Sequence, residues 1–188
     1  MMNVLIVFDH PRRNSLTGAV LDVFVEGLES AGHTAEIADL HREGFDPRML
    51  VEDEPRWKDR TQTYSQTIVR EQQRADRSDA MVLLFPVWWW SVPAMTKGWI
   101  ERIWNQGWAH GWARVKHQKG LAIGVAADDA ESFQRRQYDL AMDIQIRKGI
   151  MQYCGIENSS LALLHNSTGT PEQRKEILAR ARKLGATF

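Results

Sequence analysis

The chain has 188 residues, 43% hydrophobic and 26% charged, which suits one packed domain and excludes a disordered or collagen-like polymer. Lysine plus arginine equals aspartate plus glutamate at 24 each, so the chain lacks the overall positive field of a nucleic-acid binder. Its single cysteine, Cys154, excludes an internal disulfide and a cysteine-held metal cluster and suits a reducing compartment.

Residues 3–8 (NVLIVF) are a continuous apolar run and predict a strand covered on both faces. Asp9 to Ser15 break it, and Leu16, Val20, Val23, Phe24 and Leu28 then recur at helical spacing, with Gly32 as the C-cap. Residues 34–40 alternate as a second strand, completing a β-α-β unit. Residues 41–60 are polar with two prolines and predict an irregular excursion, followed by a helix over about 61–77. The third strand is 81–85, and it runs into Pro86-Val87-Trp88-Trp89-Trp90-Ser91-Val92-Pro93. Pro93 suits the first turn of a helix whose face carries Trp99, Ile100, Ile103 and Trp104. On that helix Glu101 and Arg102 read as a solvated or dimer-facing surface. After a Gly-, His- and Trp-bearing loop over 105–119, the spacing predicts a strand over 121–127, a helix over 135–153 and a strand over 160–164. Thr170-Pro171-Glu172-Gln173 is a capping box with proline at the first helical position, and Gly185 is placed to stop that last helix.

Apolar strands alternating with amphipathic helices imply a parallel sheet covered on both faces. The reading is therefore α/β, a single domain over residues 1–188, built as a flavodoxin-like three-layer sandwich with a five-stranded parallel sheet in the order 2-1-3-4-5. Ligands of such sheets bind beyond the carboxyl ends of the strands, where the order reverses. That brings His10 to Thr17, Val87 to Trp90 and Ala127 to Phe133 around one crevice. Seven of the eight tryptophans fall between Trp88 and Trp112. Two or three can fill a core, but seven buried indoles would each need an N–H partner, so a surface for a flat aromatic ligand competes.

In the first loop, Asn14, Ser15 and Thr17 offer hydroxyls and backbone N–H groups to a phosphate at a helix N-terminus, with His10, Arg12 and Arg13 beside them. The same atoms serve equally for an N-cap. The loop is neither a Walker A nor a G-x-G-x-x-G fingerprint. The Pro86–Pro93 turn offers three rings and their amides to a planar heterocycle, or to a neighbouring subunit.

The stretch from Phe85 to Trp104, continuing through Gln106-Gly107-Trp108-Ala109-His110-Gly111, resembles the NAD(P)H:quinone oxidoreductase family, as do the His10-Pro11 loop and Asp39-Leu40 followed by Phe45-Asp46-Pro47. The group includes the mammalian quinone reductases, the bacterial modulators of drug activity and the ancillary subunits of potassium efflux systems. The resemblance implies a bound FMN or FAD, with FMN preferred for want of an adenosine signal, and NAD(P)H as co-substrate. It also implies a homodimer with active sites at the interface and two-electron, ping-pong reduction of quinones or related electrophiles. By motif, His10, Ser15, Leu16 and Thr17 would border the flavin phosphate and ribityl chain. Val87, Trp88, Trp89, Trp90, Ala126, Ala127, Asp128 and Asp129 would surround the ring. His110, Trp112 and Phe133 would line the substrate pocket, His110 and Trp112 closing it from the partner subunit; His110 is the candidate proton donor, His110 or Arg114 the candidate to stabilise negative charge on the ring, and no metal is implied.

The sequence departs from the family at three places. Ala126-Ala127-Asp128-Asp129 stands where Thr-Thr-Gly-Gly is usual, and carboxylates pointing inward would disfavour an anionic reduced ring. Trp88 replaces a glutamine and Trp90 a phenylalanine or tyrosine, while Leu16-Thr17 replaces Phe-Asn. Cys154 reads as inert packing. No apolar run approaches the about 18 residues of a membrane span, and the expected location is the cytoplasm. The rival readings are an ancillary flavoprotein docked to a membrane potassium-efflux transporter, and a binding protein that has lost its flavin through the Asp128-Asp129 change.

Overall fold

A computed structural model describes residues Met1–Phe188. Five parallel strands, β1 (Asn3–Phe8), β2 (Thr34–Asp39), β3 (Ala80–Pro86), β4 (Lys119–Val125) and β5 (Ser159–Leu164), lie in the order β2-β1-β3-β4-β5. Pairing runs in register from Val4↔Ala80 to Phe8↔Leu84 and from Ala80↔Lys119 to Pro86↔Val125. All carboxyl ends therefore open on one edge. Alternate residues feed two cores: Val4, Ile6, Phe8, Val82, Leu84 and Ile123 face helices α1 (Leu16–Ser30) and α6 (Pro171–Ala186). Leu5, Val7, Met81, Leu83, Phe85 and Ala122 face α2 (Gln66–Asp76), α3 (Ala94–Ile103) and the helical segment before β5. The central strands are apolar throughout because both of their faces are covered.

Ser15 caps α1, its Oγ accepting from the Gly18 N–H at 3.1 Å. The helix closes in a Schellman turn: Gly32, at φ +80°, donates to the Glu29 carbonyl, and the following His33 N–H reaches the Leu28 carbonyl. The capping box at Thr170–Gln173 forms as the sequence spacing implies. Gly185 does not stop α6, which continues to Ala186. A Cβ there would lie 2.2 Å from the Phe24 carbonyl oxygen, so the glycine lets α6 press against the backbone of α1 beside Gly27.

Three further expectations change. The second helix begins at Gln66, not near 61, because Asp53 accepts from both the backbone N–H and the hydroxyl of Ser65, while Thr61 is held in a turn by Asp59. The single helix expected over 135–153 is three pieces. These are α4 (Ala130–Arg135), α5 (Tyr138–Met142) and a π-helix over Asp143–Gln152, with Gln137 left-handed at φ 59° between the first two. Arg102 is not on a solvated surface but 2% exposed, bonded to the Asp53 carboxylate at 2.9 Å and the Asp46 carbonyl at 2.6 Å. That ion pair, together with Phe45 under the Arg102 guanidinium, pins the 41–65 excursion to α3. Among the tryptophans only Trp99 and Trp104 are fully in the core, and the Trp99 indole donates to Glu71. Cys154 is buried, and burial pushes its thiol up to about 11. No helix is long and apolar enough to cross a membrane.

Candidate active site

The segments after β1, β3 and β4 meet at the carboxyl edge of the sheet. After β3, Trp88 to Ser91 close a tight turn, with the Ser91 N–H on the Trp88 carbonyl at 3.2 Å and the reverse bond at 3.4 Å. Its two central residues, Trp89 and Trp90, both lie in the left-handed region at φ 51° and 52°. This is a hairpin-type I′ turn, a geometry dominated by Gly, Asn and Asp. Left-handed backbone at a side chain as large as tryptophan carries strain, and such strain clusters at ligand clamps. Two contacts brace the turn from outside. Trp90 stacks on Tyr138 with ring centroids 4.3 Å apart, and the Ser91 hydroxyl meets Gln145 of the π-helix at 2.8 Å. Trp89 stays 88% exposed at the tip.

Val87, Trp89, Trp90, Ala127, Asp128 and Phe133 line a cleft of about 160 Å³ between this turn and the loop after β4. Its wall is mostly apolar and aromatic, as in sites for flat organic ligands, although one chain alone encloses less than the roughly 300 Å³ at the low end of such sites. Phe133 packs edge-on to Tyr138 and His165, which extends the aromatic wall behind the cleft.

The two carboxylates after β4 have different placements. Asp129 turns away to cap α4: its Oδ1 accepts from the Ser132 N–H at 2.7 Å, and that bond holds its carboxyl below the usual range. Asp128 lines the cleft, with Arg136 4.0 Å from its carboxylate and its carbonyl facing His165 Nδ1 at 3.2 Å. Burial lowers the His165 pKa. So one acidic group, not two, faces a ligand there. Ala126 is buried below it, at the end of the β4 ladder.

On the other side, the loop after β1 reaches α1. Ser15 is committed to its cap, but the N–H groups of Leu16 and Thr17 find no acceptor within the protein and point from the positive end of the helix. The His10 ring lies 6.2 Å from Trp88, and its Nδ1 accepts from the Arg12 N–H at 3.0 Å. Burial lowers its pKa, so near neutral pH it is an uncharged wall. Arg13 pairs with Asp22.

His110, Trp112 and Arg114 lie elsewhere in the chain's own structure, on the segment between α3 and β4. His110 sits between Trp57 and Tyr153, with ring centroids 6.1 Å from each, and burial lowers its pKa. Arg60 lies over the Trp112 ring, and Arg114 bonds to carbonyls of its own loop. Within one chain they do not contact the cleft. Residues that sequence reasoning passed over are Tyr138, His165 and Gln145, which back the cleft, and Asp9 and Thr96, bonded to each other between the end of β1 and the first turn of α3. The only signal for Asp9 was a charged residue ending an apolar strand.

Nothing at the cleft is arranged as a nucleophile with its base; the arrangement suits holding a planar, anion-bearing molecule. A family model described as a flavodoxin-like fold matches residues 2–186. The chain is 33% identical over 166 residues to the uncharacterized NAD(P)H oxidoreductase YcaK of Escherichia coli (strain K12), covering 87% of this chain and 84% of that one. To NAD(P)H dehydrogenase (quinone) 1 of Cavia porcellus it is 26% identical over 204 residues, covering 95% and 74%. The solved NAD(P)H:quinone oxidoreductase from Methanothermobacter marburgensis superposes with a TM-score of 0.89 at 28% identity, covering 99% of this chain and 95% of that one.

Proposed function

This chain belongs to the NAD(P)H:quinone oxidoreductase family with a flavodoxin-like fold, and from that premise we propose that it is a flavin-dependent enzyme reducing quinones or related electrophiles with NAD(P)H. The observation that supports this most is the strained tryptophan turn facing the loop after β4, an aromatic clamp with backbone amides at its edge. The donor set fits the cofactor: free N–H groups of Leu16 and Thr17 suit a phosphate, and Val87, Trp90, Ala127 and Phe133 suit a tricyclic ring. We assign FMN, since those donors answer one phosphate group. A bound flavin would supply two-electron hydride chemistry, taking the hydride from NAD(P)H and passing it to the acceptor in a second half-reaction.

The chain's residues bind and orient. Trp89 and Trp90, with Trp88 at the base of their turn, would hold the ring, and donor and acceptor would use the same site in turn, for which ping-pong kinetics are expected. Asp129 stays out of the way as a helix cap, while Asp128 would present the single carboxylate in the cleft to a bound ring. We assign a homodimer, because the one-chain cleft is small and His110 and Trp112 stand on a separate exposed patch that can close the partner's cleft.

Purified protein should be yellow and release FMN on heating, identified by mass. Its visible band should bleach with NAD(P)H under anaerobic conditions and return on adding a quinone, with parallel double-reciprocal plots. A colourless protein that stays empty with excess FMN or FAD overturns the proposal.

A further inference from the structure

Asp9 is fully buried at the carboxyl end of β1, and its carboxylate engages two other segments at once. Its Oδ2 accepts from the Thr96 N–H at 2.8 Å and from the Thr96 hydroxyl at 2.7 Å. Its Oδ1 lies 2.9 Å from His41 Nε2, at the start of the excursion after β2. Thr96 is the third residue of α3, and the N-cap of that helix, Pro93, has no side-chain acceptor. The carboxylate of a distant strand therefore does the work of the missing cap.

Stability alone does not account for this choice. A buried carboxylate must be met by donors, and an apolar pair of the same shape often holds a fold as well or better. The connections give a reason. The residue after Asp9 is His10, whose ring faces Trp88 at 6.2 Å, and Pro93, three residues before Thr96, lies two residues past the end of the tryptophan turn. Asp9 thus joins the two walls of the crevice from below, across 87 residues of sequence.

We propose that Asp9 is a positioning residue for the cofactor crevice: by locking the loop after β1 to the first turn of α3, it sets the separation between the first-loop wall and the tryptophan turn. The inference rests on reading the crevice as a flavin site. Its test uses Thr96→Val, Asp9→Ala and the conservative Thr96→Ser in the full chain, with FMN as the probe. Three quantities are read: FMN affinity by fluorescence quenching, the visible circular dichroism of bound FMN, and amide hydrogen exchange of the flavin-free protein.

Thr96→Val and Asp9→Ala should weaken FMN binding by roughly tenfold or more, the fold-change one charge-assisted hydrogen bond commands. They should alter the dichroism and speed exchange in residues 10–18 and 87–92 together. Thr96→Ser should restore all three. Folded variants that lose only Tm, with FMN affinity, dichroism and loop exchange unchanged, overturn the proposal. Should Asp9→Ala not fold, Thr96→Val decides. If the unsubstituted protein takes up no FMN while the two loops still loosen together, the flavin reading falls and the lock stands; if FMN binds normally and the loops do not respond, the lock falls alone.

Discussion

Trp89 carries the strain of a left-handed backbone with little packing in return, since its ring is 88% exposed. Glycine adopts that conformation freely. Trp89→Gly should therefore raise unfolding stability by about 0.5–1 kcal/mol, the left-handed cost less glycine's added chain entropy, while weakening flavin binding and turnover; urea titration and FMN titration read the two effects. The acidic pair gives a second test. Asp128→Asn should tighten FMN and raise its midpoint potential by removing a negative charge from the cleft, whereas Asp129→Asn should leave both unchanged because that side chain caps α4. At this scale the sequence displayed the aromatic turn openly, since three consecutive tryptophans between prolines have few other uses. It did not display the Asp9–Thr96 lock. Bonds between residues 87 apart leave no periodic trace, and only the register of β1 against β3 brings them together.

Elements were legible where local chemistry decided them and were misread where a distant partner did. The Thr170 cap lies within four residues and was readable; the start of α2 depends on Asp53, 12 residues upstream of Ser65, and was not. Gly185 looked like a terminator because a glycine near a helix end usually is one, yet α1 is what it accommodates. Gly185→Ala should cost about 1–3 kcal/mol by overpacking, measured by urea denaturation, with Phe24 and Leu28 of α1 displaced. The ion pair of Arg102 and Asp53 gives a pH test. Burial acts to raise the Asp53 carboxyl, but the Ser65 and Arg102 bonds outweigh it and hold the pKa below the usual 3.8. A depressed carboxylate contributes stability above its unfolded value, lost as pH falls through the folded one. Acid unfolding of the native chain should therefore steepen below pH 3.8. Arg102→Ala should cost about 3–5 kcal/mol at neutral pH by stranding a buried charge, and it should flatten that acid dependence.

For the whole molecule, strand order followed from the rhythm of apolar runs and helices, because right-handed crossovers leave few ways to wind five parallel strands. The rim residues were placed by the same logic, whereas the expectation that His110 and Trp112 serve a partner's pocket came only from the family resemblance, since a chain pattern by itself carries no information about which copy a loop serves. Tyr153 is 61% exposed beside His110. If that patch joins two copies, Tyr153→Glu should yield a monomer by sedimentation and lose quinone turnover.

The glycine-mediated crossing of α1 and α6 also bears on biosynthesis. α1 emerges from the ribosome early, but the helix that clamps it is made some 150 residues later, at roughly 5–20 residues per second. For many seconds the C-terminal half of α1, around Gly27, has no helix to pack against. That face of α1 therefore waits uncovered until translation has passed Gly185.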